Sequence, residues 1–265
     1  MISTIQQIIL FLGTLVGGIT DTKTGYIYDW ITIPMIILGL ILNILQIQLF
    51  NLVSGGIIFL TLLIGYKLGK IGGGDVKIFT SIALLNPFNK IDFLITLFFF
   101  ATISSMVFYS IYYLIKYYKK GIIFEREKKG IYNAIILGTI LFFYLIIMNN
   151  LRMAQLHTIL ILSIPIITGL IYFALQKGIK EEFFEKKILI KNLEEDEIVG
   201  EKNNKIIKKL LNGKVLLGKK EIAYLKKQKI KSIFVLRNLP KFGPFIFIGT
   251  IIAIIWPELF LIFFV

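Results

Sequence analysis

Repeated apolar runs of bilayer length constrain the fold of this chain more than any other feature of its sequence. Seven such runs occupy residues 3–20, 31–50, 51–66, 91–115, 131–148, 153–175 and 242–264, and a shorter one covers 76–88. A helix needs about 20 apolar residues to cross the hydrocarbon core of a bilayer. The first run begins without the lysines or arginines of a signal peptide. We therefore predict an all-α polytopic membrane protein whose first span is retained.

The distribution of positive charge predicts the orientation of these spans. If all eight runs cross the membrane and the N-terminus lies outside, the inner loops are 21–30, 67–77, 116–130 and 177–241. Those loops hold 28 of the 30 lysines and arginines. Because positive residues favour the cytoplasmic side, we predict about eight transmembrane helices with both termini outside. Omitting 76–88 would put the basic segment 116–130 outside, which favours counting it as a short or partly re-entrant helix.

Hydropathy and charge together predict the domain organisation. We expect a transmembrane core over 1–115, a basic cytoplasmic loop over 116–130, further transmembrane helices over 131–175, a soluble cytoplasmic insert over 176–241 and a last transmembrane helix over 242–265. Within the insert, the stretches NGKVLL and KSIFVL are typical of short strands and KKEIAYLKKQ of a helix, which predicts a small mixed α/β unit. Its excess of lysine would attract the anionic headgroups of the lipid bilayer.

Few acidic residues lie near the predicted bilayer. Of the 16 aspartates and glutamates, two fall in the basic loop and nine in the insert. The remaining five are Asp21, Asp29, Asp75, Asp92 and Glu258. In the predicted topology the last two lie towards the outer face and the first three towards the inner face. Ionisable groups beside membrane spans are costly, so these three are the functional candidates.

Two carboxylates that share one site are able to hydrolyse a peptide bond. Like charges a few ångströms apart do not easily both ionise, so one carboxyl keeps a proton. One member of such a pair activates a water, and the other protonates the leaving group. The chain has no cysteine and one histidine, and it lacks the motifs of serine hydrolases, zinc peptidases and P-loop enzymes. We expect no metal, no other cofactor and no nucleic-acid partner.

The glycines before Asp75 have two interpretations. Gly72, Gly73 and Gly74 lack side chains, so they would let a substrate backbone approach the carboxylate closely. They are equally suited to a helix start at which Asp75 interacts favourably with the helix dipole. Lys77 follows Asp75 closely, where it would support the carboxylate charge or contact lipid phosphates.

Three stretches of the sequence resemble one protease family. The residues GGGD, from Gly72 to Asp75, match the signature of the GxGD aspartyl membrane proteases. Upstream, DTKTGYIYDWITIP from Asp21 to Pro34 resembles the second motif of the type IV prepilin peptidases, with Tyr28 where a proline normally stands. LPKFGPFIFIG, from Leu239 to Gly249, resembles the stretch that opens a late span in that family. With no cysteine-rich N-terminal loop and a late insert, the chain is more similar to the archaeal prepilin and preflagellin peptidases than to the bacterial ones.

The resemblance implies an aspartic-type endopeptidase. Such enzymes remove the short basic leader of pilin-like or archaellin precursors at the cytoplasmic face of the cell membrane. Asp21 and Asp75 would then be the catalytic pair. The three glycines, Asp29 and Lys77 would bind the substrate or support the pair. The sequence gives no indication of oligomeric state or of which precursor is cleaved.

Three alternatives remain open at this stage. Tyr28-Asp29 is similar to the YD pair of presenilin-like and signal-peptide-peptidase-like proteases, which would make Asp29 catalytic, although a helix cap or a leader contact fits its polar turn better. An ion-coupled transporter would spread its acids through the depth of the membrane. A catalytically inactive scaffold would use the basic insert to bind partners.

Overall fold

The protein is mostly helical. A computed structural model describes residues 2–69, 71–151, 156–194, 197–200, 202–203, 216–228, 230–237 and 239–263. Its helices are α1 (Ile2–Thr24), α2 (Asp29–Gln46), α3 (Leu49–Lys67), α4 (Gly73–Leu84), α5 (Ile91–Lys120), α6 (Phe124–Asn150), α7 (Leu156–Ala174), α8 (Gln176–Ile179), α9 (Lys219–Lys227) and α10 (Gly243–Ile255). The predicted polytopic all-α class is therefore confirmed in outline.

Five helices are long and apolar enough to cross a membrane. Within the described residues these are α1, α2, α3, α5 and α6. A sixth span results if α7 is joined to the residues Gln176–Phe184, which continue from it at an angle of 70°. The structure thus supports five or six candidate spans. The predicted count of eight and the predicted orientation are not confirmed.

Two of the predicted spans are shorter than expected. The run 76–88 corresponds to α4, a helix of 12 residues, and the run 242–264 to α10, a helix of 13 residues. At 1.5 Å per residue each is about 20 Å long, less than the hydrocarbon core of about 30 Å. α10 ends just before Trp256, because Pro257 restricts the residue before it to extended backbone. A short 3₁₀ helix, Leu259–Phe263, follows.

Among the described helices longer than one turn, α4 is the most enclosed. Val76 and every residue from Ile78 to Leu84 are buried, and α1, α2 and α3 all contact this helix. α10 packs in turn against α1 and α5. The main apolar core, which includes Leu10, Ile82 and Ile246, joins these helices. The residues from Gly73 to Asp75 therefore lie at the entrance to the core.

The end of α4 inside the core has its backbone oxygens hydrogen-bonded by asparagines. Asn43 on α2 donates from Nδ2 to the carbonyl of Leu84 at 2.6 Å, and Asn51 on α3 donates to the carbonyl of Asn86 at 2.8 Å. The last carbonyls of a helix have no partner within it, and leaving them unpaired in a dry core is costly. These bonds fix the position of α4 along its own axis.

The basic segment 116–130 is mostly helical rather than a loop. α5 extends to Lys120 and α6 begins at Phe124, so only Gly121–Ile123 connects them. Gly121 has a φ of +93°, a conformation that residues with a side chain rarely adopt. The charges of this segment therefore lie on the ends of two helices, where lysines on the last turn of α5 favour the helix dipole.

The insert forms a small mixed α/β unit, as predicted. Strands β1 (Glu185–Leu189), β2 (Glu197–Val199), β3 (Leu216–Leu217) and β4 (Ser232–Leu236) form an antiparallel sheet in the order β1-β4-β2-β3. β3 lies within NGKVLL, β4 within KSIFVL and α9 within KKEIAYLKKQ, so all three predicted elements are confirmed. Leu217, Leu225 and Val235 form a separate core between the sheet and α9.

Candidate active site

The packing of α1 against α4 brings Asp21 and Asp75 to the same level. A Cβ atom at Gly17 on α1 would lie 3.2 Å from Cδ1 of Ile78 on α4, and Ile27, after α1, lies against Gly74. These contacts run in opposite directions along the chain, so the two helices are antiparallel. Asp21 is one turn beyond Gly17 and Asp75 about one turn before Ile78. The two carboxyl groups are close enough for their charges to interact.

Asp21 is buried and is held by the start of α10. Only 7% of its surface is exposed. Its Oδ2 accepts a hydrogen bond of 2.7 Å from the backbone N–H of Gly243, and the N–H of Phe242 also donates to it. The first N–H groups of a helix have no partner within the helix and carry a partial positive charge. The start of α10 thus stabilises a negative charge on Asp21.

Asp75 lies in the first turn of α4. Its Oδ2 lies beside the backbone of Gly72, the residue that precedes the helix. Both aspartates therefore lie at helix starts. Asp75 remains half-buried, with access from outside the core.

The three glycines have different surroundings. Gly74 permits the approach of Ile27 of this chain, since a Cβ there would lie 3.0 Å from the Ile27 carbonyl oxygen. A Cβ at Gly72 would lie 3.1 Å from Oδ2 of Asp75, and one at Gly73 would touch the ring of Tyr66 at 3.5 Å. The approach at Gly74 is thus occupied by the protein itself. Gly72 is exposed beside the Asp75 carboxylate, where a substrate has room to approach.

Asp29 and Lys77 form an ion pair outside the aspartate pair. Nζ of Lys77 donates to Oδ1 of Asp29 at 2.5 Å, and both side chains are partly exposed. Asp29 is the first residue of α2, and its side chain makes no capping bond to that helix. The helix cap predicted for Asp29 is therefore replaced by a contact between α2 and α4, and Lys77 is paired with Asp29.

The two remaining membrane-proximal acids lie away from the aspartate pair. Glu258 is paired at 2.9 Å with Lys90, where its carboxylate raises the pKa of the lysine by hydrogen bonding. Asp92 is in the first turn of α5, beside Lys90. Among the described residues, no group of three or more His, Cys, Asp or Glu side chains could hold a metal ion.

Two residues outside the predicted site contact Asp21 or its surroundings. Gly243 bonds to its carboxylate, and a Cβ on Gly243 would lie 2.8 Å from Cβ of Asp21. Tyr109 on α5 binds the backbone of Lys241 just before α10. The sequence pointed to Gly243 only because the stretch FGPF resembles the start of a late span in the prepilin peptidases. It offered no signal for Tyr109, one of many aromatic residues on an apolar helix.

Comparison with known families identifies the part of the chain that carries the pair. Residues 8–114 match the model of the type IV leader peptidase family. We name residues 8–114 the leader peptidase segment for this similarity. It contains Asp21, Asp75 and Tyr109, whereas Lys241 and Gly243 lie outside it. Comparisons with curated proteins and with solved structures gave no significant match.

The similarity supports a leader-peptidase-like protease, that is, a hydrolase of peptide bonds. α2 to α4 lie in this segment, together with most of α1 and α5. Several apolar helices in and beyond it are consistent with a multi-pass membrane peptidase.

Proposed function

We propose that this protein is a membrane-embedded aspartic endopeptidase in which Asp21 and Asp75 are the catalytic pair. The observation that carries the proposal is their meeting on antiparallel helices within the leader peptidase segment. The carboxylate of Asp21 is bound by the N–H of Gly243 at the start of α10, and Asp75 lies in the first turn of α4. Such preorganised polar contacts hold catalytic groups in place without reorganisation during the reaction.

The chemistry needs only these two groups and a water. One carboxylate takes a proton from the water as its oxygen attacks the carbonyl carbon of the scissile bond. The other carboxyl, protonated, gives its proton to the nitrogen of the leaving amine as the C–N bond breaks. The products are a carboxylic acid and an amine, and the pair again holds one proton. Because the two groups interact, their protonation belongs to the pair.

The proposed substrates are pilin-like or archaellin precursors with a short basic leader. Cleavage would take place at the cytoplasmic face of the cell membrane, on the side where the sequence concentrates lysine and arginine. The partly exposed carboxylate of Asp29 is the proposed contact for a basic leader. The basic insert would lie against anionic lipid headgroups.

The proposal is tested by removing each carboxylate separately. Asp21→Asn and Asp75→Asn keep side-chain size and remove the charge. Each is expected to lower the rate of cleavage of a pilin-like precursor in proteoliposomes at least about a hundredfold, the usual contribution of a catalytic acid or base. Asp92→Asn removes an acid near the other end of the helices and is the matched control, expected to cleave at the wild-type rate.

Two results would contradict the proposal. Normal cleavage by either single variant would exclude a catalytic pair. Complete loss of cleavage in Asp29→Asn, with Asp21→Asn still active, would instead assign the presenilin-like pair.

A further inference from the structure

A short segment before α10 links Asp21 to α5. The segment Lys241–Gly243 begins with the backbone of Lys241, whose N–H donates to Oη of Tyr109 at 2.8 Å, while the same hydroxyl donates to the Lys241 carbonyl at 2.7 Å. It ends with the N–H of Gly243, which donates to Asp21. One phenol hydroxyl therefore satisfies both backbone groups of a residue two positions before the donor that binds the catalytic carboxylate.

We propose that Tyr109 is a positioning residue for the carboxylate of Asp21. The inference rests on the proposed function, because it assigns a role within the same site. Tyr109 does not touch the aspartate pair in this arrangement. It acts through the segment Lys241–Gly243, whose path it fixes.

The segment is held from a second side by α1 itself. Nζ of Lys241 donates to the carbonyl oxygen of Thr22 at 2.5 Å, next to Asp21 in the chain. Lys241 thus bridges the end of α1, by its side chain, and α5, by its backbone. With both anchors in place the N–H of Gly243 is aimed at Oδ2 of Asp21. Catalytic groups need such support to hold their geometry within a fraction of an ångström.

The ring of Tyr109 has a separate packing role. It contacts the rings of Phe245 and Tyr113, with centroids 5.4 and 5.8 Å away. Tyr109→Phe keeps this packing and removes only the hydroxyl, so it separates positioning from stability. Tyr112→Phe is the matched control. It removes a hydroxyl from the same helix, and the ring of Tyr112 stacks on that of Phe108.

The test measures cleavage kinetics of purified full-length variants against a pilin-like precursor over a range of pH. Tyr109→Phe is expected to lower kcat about tenfold, the effect of one lost hydrogen bond of roughly 1.4 kcal/mol, with KM within about twofold of wild type. The acidic limb of its pH–rate profile should move to higher pH, because the Asp21 anion loses a well-aimed donor. Tyr112→Phe is expected to match wild type in kcat, KM and profile.

A second variant keeps the test independent of folding defects in Tyr109→Phe. Lys241→Gln weakens the anchor to Thr22 and is expected to lower kcat about threefold with the same direction of profile shift, while Lys241→Arg restores wild-type values. Melting temperatures of all variants are measured alongside.

Three outcomes would overturn the inference. Tyr109→Phe with wild-type kcat and profile would exclude a positioning role. Equal losses in Tyr109→Phe and Tyr112→Phe with unchanged profiles would show a packing effect alone. A fall in kcat without any profile shift in both Tyr109→Phe and Lys241→Gln would mean that the segment does not act on Asp21. All three leave the proposed function standing so long as Asp21→Asn and Asp75→Asn are inactive, so the two failures are distinguishable.

Discussion

At the scale of single residues, the pairing of Lys77 with Asp29 matters for charge more than for stability. The two groups are 2.5 Å apart and partly exposed, so the pair contributes little to stability. Under the proposed function, Lys77 would compensate an acid that a basic leader could contact. Removing the lysine would expose an uncompensated carboxylate.

We therefore predict that Lys77→Gln lowers KM for a substrate with a basic leader by about two- to threefold at low ionic strength. Asp29→Asn should raise KM, and the double variant should return close to wild type. Near 1 M salt, where the screening length is about 3 Å, all three differences should disappear. Steady-state kinetics at two salt concentrations measure this. A KM in Lys77→Gln that does not respond to salt would contradict the prediction.

The sequence singled out the candidate acids of the site but not their contacts. Asp21 and Asp75 could be selected because membrane-proximal acids are few, and each lies beside a motif. The contact of Asp21 with Gly243 joins residues far apart in the chain, and no local pattern encodes such a pairing. Gly74 illustrates the same limit, since only the fold shows that Ile27 occupies the space beside it.

At the scale of elements, α4 depends on polar partners inside the core. Its far end lies in the core, where Asn43 satisfies the carbonyl of Leu84, and Asn51 satisfies the carbonyl of Asn86 just after the helix. Gly39 and Gly55 make room for Leu84 at the same place, since a Cβ at either would lie under 3.0 Å from its side chain. These contacts set how far Asp75 protrudes at the other end.

We expect Asn43→Leu to destabilise the protein by about 1–3 kcal/mol, because it keeps the branched shape of the side chain and leaves the buried Leu84 carbonyl without its donor. Unfolding of the detergent-solubilised protein measures the change. Asn133→Leu, at an exposed position on α6, is the control and should leave stability within about 0.5 kcal/mol. An unchanged unfolding free energy in Asn43→Leu would show that the bond is dispensable.

Elements with strong periodicity were predictable, and their ends were not. In the insert, β3, β4 and α9 follow from short local patterns and were confirmed, whereas β1 and β2 were not predicted. The predicted last span was too long, because the apolar sequence continues past Pro257 whereas the α-helix ends before it. The predicted loop 116–130 was wrong because charged residues favour helix ends as readily as loops. Hydropathy alone does not distinguish a lipid-facing span from an enclosed helix such as α4.

At the scale of the whole molecule, a partly buried ionic cluster joins the insert to the transmembrane helices. Arg126 on α6 pairs with Glu181 at 3.1 Å and with Glu182 at 3.4 Å in the segment that leads into the sheet. It also pairs with Glu127, which is fully buried, and donates to the hydroxyl of Tyr117 at 2.8 Å. Removing one member of such a cluster leaves a buried charge uncompensated.

Arg126→Gln is expected to cost roughly 3 kcal/mol of stability and to speed limited proteolysis within 177–241. Adding Glu127→Gln to it should recover part of the loss, since the buried charge is then gone. Lys128→Gln removes the same charge from an exposed position on α6 and serves as the control. Equal proteolysis rates in Arg126→Gln and Lys128→Gln would show that the cluster does not attach the insert.

The enclosure of α4 has a consequence for how the membrane acts on this protein. Between Ile78 and Leu84 no residue is exposed, so acyl chains do not contact the body of the helix that carries Asp75. Changes in bilayer thickness tilt or stretch the surrounding helices, at a cost of fractions of a kcal/mol per ångström of mismatch. They reach Asp75 only after passing through α1, α2 and α3. The depth of Asp75 in the membrane is therefore set by the packing of α4 against its neighbouring helices. Lipid affects it only indirectly, through those helices.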